Sequence, residues 1–344
     1  MKKPAIFLSL LMFLSIGLCH AQEVKSGYTI SDKIHLDGDG GWDYLVVDDS
    51  TSRLFVSHGT IVQVVDLKKN KVIATIPDTK GVHGIALVRD LNKGYISNGR
   101  DTSVTVFDLK SFKTITKIMV TGNNPDAILY DPFSRRVFTF NGRSSNSTVI
   151  DVNTDKVLET IYLPGKPEFS ATDGKGKIYV NIEDKSEVCQ INPMSLKIEK
   201  TWSVRPGEEP SGMAIDNVDH QLFIVCSNGS MIVLDVMTGK VVTKLRIGYG
   251  VDGVAYDPGL KMIYSSNGEG TLTVVKKVNK NTFKVLENFP TQKGARTISL
   301  SVKTHRIYLP VAEFEPTPPA TKDNPHPRPN AKTGTFTVLQ IEPL

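Results

Sequence analysis

The sequence predicts an all-β protein: a single seven-bladed β-propeller with four antiparallel strands per blade. Three observations carry that expectation. A turn-plus-strand unit occurs seven times, each unit contains four short strand-like runs, and the two ends of the chain supply complementary parts of one incomplete unit. The seven openings are GWDYLVVD from Gly41, GVHGIALV from Gly81, NPDAILYD from Asn124, KPEFSATD from Lys166, EPSGMAID from Glu209, GVDGVAYD from Gly250 and GARTISLS from Gly294. The third residue of each is an anchor: Asp43, His83, Asp126, Glu168, Ser211, Asp252 and Arg296. They are spaced by 40, 43, 42, 43, 41 and 44 residues.

Within a unit the first strand ends in a polar turn such as DPFSRR or DPGLK. A second apolar strand follows, as in KGYIS or QLFIVC, then a polar turn. That turn often reads Ser-Asn-Gly (Ser97-Asn98-Gly99, Ser227-Asn228-Gly229, Ser266-Asn267-Gly268), where Asn and Gly are expected to accept the positive backbone angles of a tight hairpin. A third alternating strand (SVTVFDL, SMIVLDV) and a fourth (KVIATI, KVVTKL) complete the unit. No segment sustains a helical period with caps, so a βαβ organisation is excluded. GYTISDKIHL (Gly27 to Leu36) resembles a fourth strand lacking its first three, and the last unit ends after its third strand, GTFTVLQI. The N-terminal strand is therefore expected to complete blade seven and close the ring, removing open sheet edges.

The chain opens with two lysines, an apolar run from Ala5 to Leu18, and Cys19-His20-Ala21. This is the pattern of a secretory signal peptide over 1–21, with cleavage after Ala21 and lipoprotein attachment at Cys19 as the alternative. The propeller then occupies 22–344, with 22–40 as closing strand and entry loop, in a periplasmic or extracellular protein without a transmembrane segment. Loss of Lys2 and Lys3 lowers the formal charge from +5 to +3. With no basic block, no nucleic-acid partner is expected. Cys189 and Cys226 remain, read as two buried thiols with one disulfide as the alternative.

The second strands YISN (Tyr95 to Asn98), YVNI (Tyr179 to Ile182) and IYSSN (Ile263 to Asn267) resemble the Tyr-Val-Thr-Asn propeller repeat. The stretches FDLKSFKTITKI and LDVMTGKVVTKL fit the same repeat, with an Asp and a short turn before the fourth strand. The whole chain after the signal is similar to YncE-like exported bacterial proteins of this repeat family. That resemblance implies an exported binding or scaffold propeller and carries no catalytic residues.

Turns entering the first strands and turns joining second to third strands share one face, so their side chains surround the mouth of the central channel. Candidate ligand-binding residues there are Trp42, Asp43, His58, His83, Arg100, Asp126, Arg143, Glu168, Glu183, Asp252, Glu269 and Arg296. The bland alternative is that these residues satisfy turn backbones and line a water-filled channel. No cofactor is expected; a divalent metal at His58, His83 and neighbouring carboxylates is the alternative, without a fixed ligand spacing. Asp126 and Glu168 on adjacent blades are a candidate acid/base pair. Haem-attachment, nucleophile-elbow and phosphate-loop motifs are absent from the sequence.

Residues 313–334 depart from the repeat, replacing the turn between second and third strands of blade seven. Six prolines (Pro316, Pro318, Pro319, Pro325, Pro327, Pro329) favour an extended excursion, either a cover or docking arm over the mouth or a tolerated surface insertion. The expected function is non-catalytic recognition of a small ligand or an envelope protein by a monomeric propeller. The alternative is a propeller-hosted enzyme, a metal-assisted lactonase-type hydrolase or a quinoprotein-type dehydrogenase.

Overall fold

A computed structural model describes residues 27–322, 325 and 327–344. The expected signal peptide, its Ala21 cleavage site and the Cys19 alternative lie outside the described residues. Seven four-stranded antiparallel sheets form, six of them with their strands in chain order. Blade one runs Trp42–Asp48, Arg53–His58, Ile61–Asp66 and Lys71–Ile76. Blade seven is built from Ser299–Leu300, Ile307–Val311, Thr337–Pro343 and, from the other end of the chain, Tyr28–His35. That last strand pairs from Tyr28↔Pro343 to His35↔Thr337 and closes the ring as the repeat pattern requires. No helix among the described residues is long and apolar enough to cross a membrane.

The recurring aspartates explain why each unit folds as it does. Asp48, Asp131, Asp216 and Asp257 end first strands and are buried. Each carboxylate accepts a backbone N–H of its own following turn, from Ser50, Ser134, Val218 and Leu260. Each also binds the next blade, through Arg89, Thr172, Lys277 and His305 respectively. One residue type thus shapes a turn and fastens neighbouring blades. The Asp before the fourth strand works more locally: Asp66, Asp108, Asp151 and Asp235 accept from the N–H two residues on. Between blades the apolar faces form separate clusters. Leu36, Leu54, Val56 and Val338, all fully buried, join blade seven to blade one.

The Ser-Asn-Gly turns differ from expectation. Asn98 and Asn267 are the last residues of second strands, are fully buried, and keep ordinary backbone angles. Their amides clamp the third strand: Asn98 Nδ2 donates to Ser103 Oγ (3.0 Å) and Thr105 Oγ1 (2.9 Å). Asn267 Nδ2 donates to Thr271 Oγ1 (3.0 Å) and Thr273 Oγ1 (2.9 Å), and Asn141 makes the same clamp in blade three. The left-handed residue comes later, just before the third strand, at Thr102, Ser145, Ser186, Gly229 and Gly270. Ser227-Asn228-Gly229 is out of register with the others. Cys226 ends its strand there, so Asn228 lies in the turn itself and donates to Pro206 O. Cys189 and Cys226 are free, buried thiols.

Candidate functional site

The first strands position the anchors through a shared irregularity. In blades one to six the pairing of first and second strands slips directly after its first bridge, at Trp42/Leu45, Val82/Ile85, Pro125/Ile128, Pro167/Ser170, Pro210/Met213 and Val251/Gly253. Asp43, His83, Asp126, Glu168, Ser211 and Asp252 sit in these bulges. A bulge bends its strand and re-aims a side chain that regular pleating would send into the blade. Small neighbours make room: a Cβ on Gly99 would stand 2.6 Å from His83 Nε2. In blade seven the regular first strand shrinks to Ser299–Leu300, and Arg296 precedes it on extended chain held by Thr297 Oγ1, which donates to Asp43 O (2.7 Å).

The anchors converge. His83 Nδ1 donates to Asp43 Oδ2 at 2.6 Å and lies 3.5 Å from Asp126 Oδ1. Arg296 Nε donates to Asp252 Oδ2 at 2.8 Å, and its Nη2 lies 3.9 Å from Asp43 Oδ1. Lys166 Nζ is 2.7 Å from Glu168 Oε1 and also pairs with Glu183. One residue deeper along their strands, Tyr44 and Phe169 meet across the channel with ring centroids 5.3 Å apart. The mouth is therefore a cup with an aromatic floor rather than an open bore. Above the floor a cavity of about 440 Å³ is lined by Asp43, His83, Arg100, Asn124, Arg143 and Arg296, with Trp42 on its wall.

Burial sets the electrostatics of the cup. It penalises ionisation of Asp126 most, and the charges of Asp43 and Asp252 add to this against His83, so its carboxyl rises to about 7. Glu168 rises to about 8, from burial first and then the Asp126 charge, despite Lys166. Asp252 rises to about 6 for the same leading reason, with Asp43 adding and Arg296 opposing. Burial alone would lower His83. The hydrogen bond to Asp43 and the charges of Asp126, Asp43 and Glu168 outweigh it and carry the imidazole to about 9. At neutral pH the cup thus holds a cationic His83 and shares protons among carboxyls. The donor atoms of Asp43, His83 and Asp126 lie within 4.8 Å of one another, a set of chemistry suited to a divalent ion.

Two candidates from the sequence stand apart. His58 occupies the strand-end place that Asn98 holds in blade two. It is buried, with Nδ1 3.2 Å from Gln63 Oε1 and its ring 4.0 Å from Phe336, and burial lowers its basicity. It packs the blade seven–blade one joint and is not joined to the metal-capable set around His83. Glu269 accepts from Tyr249 N (3.0 Å) and Thr271 Oγ1 (3.0 Å), lining a groove with Arg246 and Asn288. Asp126 joins the cup through His83, 3.5 Å away, and its charge acts on Glu168 in the next blade. Trp42 is both packed and mouth-lining: 8% exposed, against Phe336 and Phe314.

Sequence reasoning missed Lys166, Tyr44, Phe169, Lys293 and Phe314. A signal for Lys166 existed. Positions 41, 81, 250 and 294, two before an anchor, are Gly and 124 is Asn, whereas 166 is Lys and 209 is Glu, the two charged departures. The proline-rich segment has a fastened root: Phe314 bridges Ala331, Glu315 N donates to Asn330 O (2.9 Å), and Lys332 N donates to Glu313 O (2.8 Å). It rises on the anchor face, where the Phe314 ring lies 5.9 Å from that of Trp42.

No family model matches the chain. It is 26% identical over 180 residues to the uncharacterized protein YncE of Salmonella typhi, and equally to that of Salmonella typhimurium. The match covers 50% of this chain and 50% of each relative, so the chain spans about half the length of the curated relatives it matches. Together with the seven-bladed ring, this similarity fits a YncE-like β-propeller. Among solved structures, a chain titled Kuenenia stuttgartiensis Hydrazine Synthase superposes with TM-score 0.70 at 17% identity, covering 87% of this chain and 98% of that one. Chains from the structure of U3-55K (TM-score 0.73, 10% identity, 91% and 98% covered) and from a mitotic checkpoint complex (0.74, 11%, 99% and 98%) do likewise. At these identities the likeness shows the fold alone.

Proposed function

We propose that the chain is an exported propeller that holds a small polar ligand, or a polar group of an envelope protein, at the channel mouth without turning it over. The observation that carries this is convergence. Asp43, His83, Asp126, Asp252 and Arg296, drawn from five blades, form one hydrogen-bonded and ion-paired group over a closed aromatic floor. Side chains that only solvated a wide channel would have no reason to meet. A concave site with a few convergent polar groups and shifted ionisation is the usual form of a small-ligand pocket. The test is isothermal titration of the purified chain with succinate, inorganic phosphate, benzoate, benzylamine, Ca²⁺ and Zn²⁺. At least one binds one-to-one and is weakened at least tenfold by Asp126→Asn or Arg143→Gln. If none binds, or binding ignores both substitutions, the proposal fails.

A hydrolase is the second reading, favoured by one observation: Asp126 and Glu168 have carboxyls raised to about 7 and 8, the range in which general acids and bases work. Hydrolysis of a simple lactone, abolished by Glu168→Gln with the fold intact, would establish that reading over binding alone.

A further inference from the structure

Beside the cup, the root of the proline-rich arm encloses a second chamber of about 520 Å³ against the blade seven–blade one joint. Its wall carries the rings of Trp42 and Phe314 and the cations Lys293, Arg296 and Arg328, with no carboxylate in the lining. Arg296 is shared with the cup and already answers Asp252 and Asp43. Lys293 and Arg328 have no acidic partner among the described residues. Trp42 is 8% exposed and its indole N–H, itself buried, has no acceptor among the described residues, so what Trp42 offers the chamber is its ring. Lys293 and Arg328 are exposed, so they can each give a carboxylate a charge-assisted hydrogen bond without first breaking an ion pair. The backbone leaves space for it: a Cβ on Gly41, in the same wall, would meet nothing within 4 Å.

We propose that this chamber binds a small aromatic carboxylate, its ring against Trp42 and Phe314 and its carboxylate answered by Lys293, Arg296 and Arg328. The volume is within the range of small-ligand pockets, about 300–1,000 Å³. The tilted ring pair offers an apolar face of aromatic shape. Guanidinium forks match carboxylates in geometry as well as charge. A benzylic cation would meet three like charges, and an inorganic anion would leave the rings unused. The inference rests on the mouth being a ligand site, and names the ligand class of its arm-covered half.

The experiment uses the chain carrying Trp202→Phe, so that Trp42 is the remaining tryptophan of the two in the sequence. Benzoate, benzylamine and inorganic phosphate are titrated by fluorescence and calorimetry. Benzoate is expected to change Trp42 emission with one-to-one stoichiometry, and at least tenfold more tightly than either other probe. Arg328→Gln and Lys293→Gln, both outside the blade cores, should each weaken it by about tenfold, the loss of one charged hydrogen bond. The proposal is overturned if benzylamine or phosphate binds as tightly as benzoate, or if both substitutions leave benzoate binding unchanged. If benzoate fails while another probe is held in an Asp126-dependent manner, the chamber assignment alone is wrong. If no probe binds anywhere, the mouth reading falls with it.

Discussion

Raising the pH from 6.5 to 8.5 should destabilise this propeller, and the cup supplies the reason. Asp126 and Glu168 have ordinary values of 3.8 and 4.5, so an unfolded chain has released both protons by pH 6.5. In the folded protein they are lost only through about 7 and about 8. His83, ordinarily 6.5, holds its proton to about 9 when folded. All three groups make the folded state the more protonated one, so their stabilisation is present at the acid end of this window and lost as pH rises. Among other shifted groups, Asp48, Asp151, Asp216, Asp235 and Glu199 are lowered and fully ionised in both states here. His58, also lowered, opposes the trend by at most about half a proton at the acid end. Each proton bound in the cup relieves its neighbours, so the groups do not act independently. A net excess of about one proton across two pH units corresponds to about 3 kcal/mol. For a chain of this size that is a fall in Tm of about 5 °C. Calorimetric scans at 0.15 M salt would measure it, alongside Asp126→Asn, which removes one titrating group and should flatten the slope. A Tm that is constant or rises from pH 6.5 to 8.5, or a slope unchanged in Asp126→Asn, would refute the electrostatic account of the cup.

Three further outcomes follow from the packing. Lys277 is 3% exposed, paired with Asp216 and 2.7 Å from Asp219 Oδ2; Lys277→Met should cost about 3–5 kcal/mol by stranding Asp216, and adding Asp216→Asn should restore much of it, as read from thermal melts. Deleting residues 27–36 uncovers the outer edge of the Thr337–Pro343 strand and removes fully buried Leu36, so the truncated chain should aggregate on expression; a soluble, cooperatively melting product would contradict closure by this strand. Burial raises the thiol of Cys189 and pushes that of Cys226 up to about 12, so the native protein should resist maleimide for hours and label at both sites in denaturant.

The architecture was legible because the repeat states it seven times. The Asp that ends a first strand or precedes a fourth is a local turn former, so its effect depends on the few residues around it, and periodic spacing multiplies the signal. The anchors were legible for the same reason, since each sits at a fixed offset from a turn. What sequence alone hid is non-local or depends on register. Glu269 stands two residues past its second strand just as Arg100 and Arg143 do, whereas His58 is the last residue of its own, and only strand ends and bulges decide which of them reach the cup. Asn98 and Asn228 share a tripeptide, yet one clamps a strand and the other lies in a turn, because Cys226 ends its strand two residues before Asn228. The meeting of Tyr44 with Phe169 joins blades one and four across the ring, and no local pattern encodes that. The root of the proline-rich arm was hidden likewise, since Phe314 finds Trp42 from the opposite end of the chain.

The central claim is that ligands are held where the anchors converge, and a crystallographic fragment screen of the described chain tests it most directly. Small carboxylates, phosphates and amines would be soaked into crystals that leave the mouth open. Density should collect between His83, Asp126 and Arg296 and under the arm beside Trp42. Fragments found only in the outer groove beside Glu269, or a mouth holding nothing but water across the whole set, would contradict it.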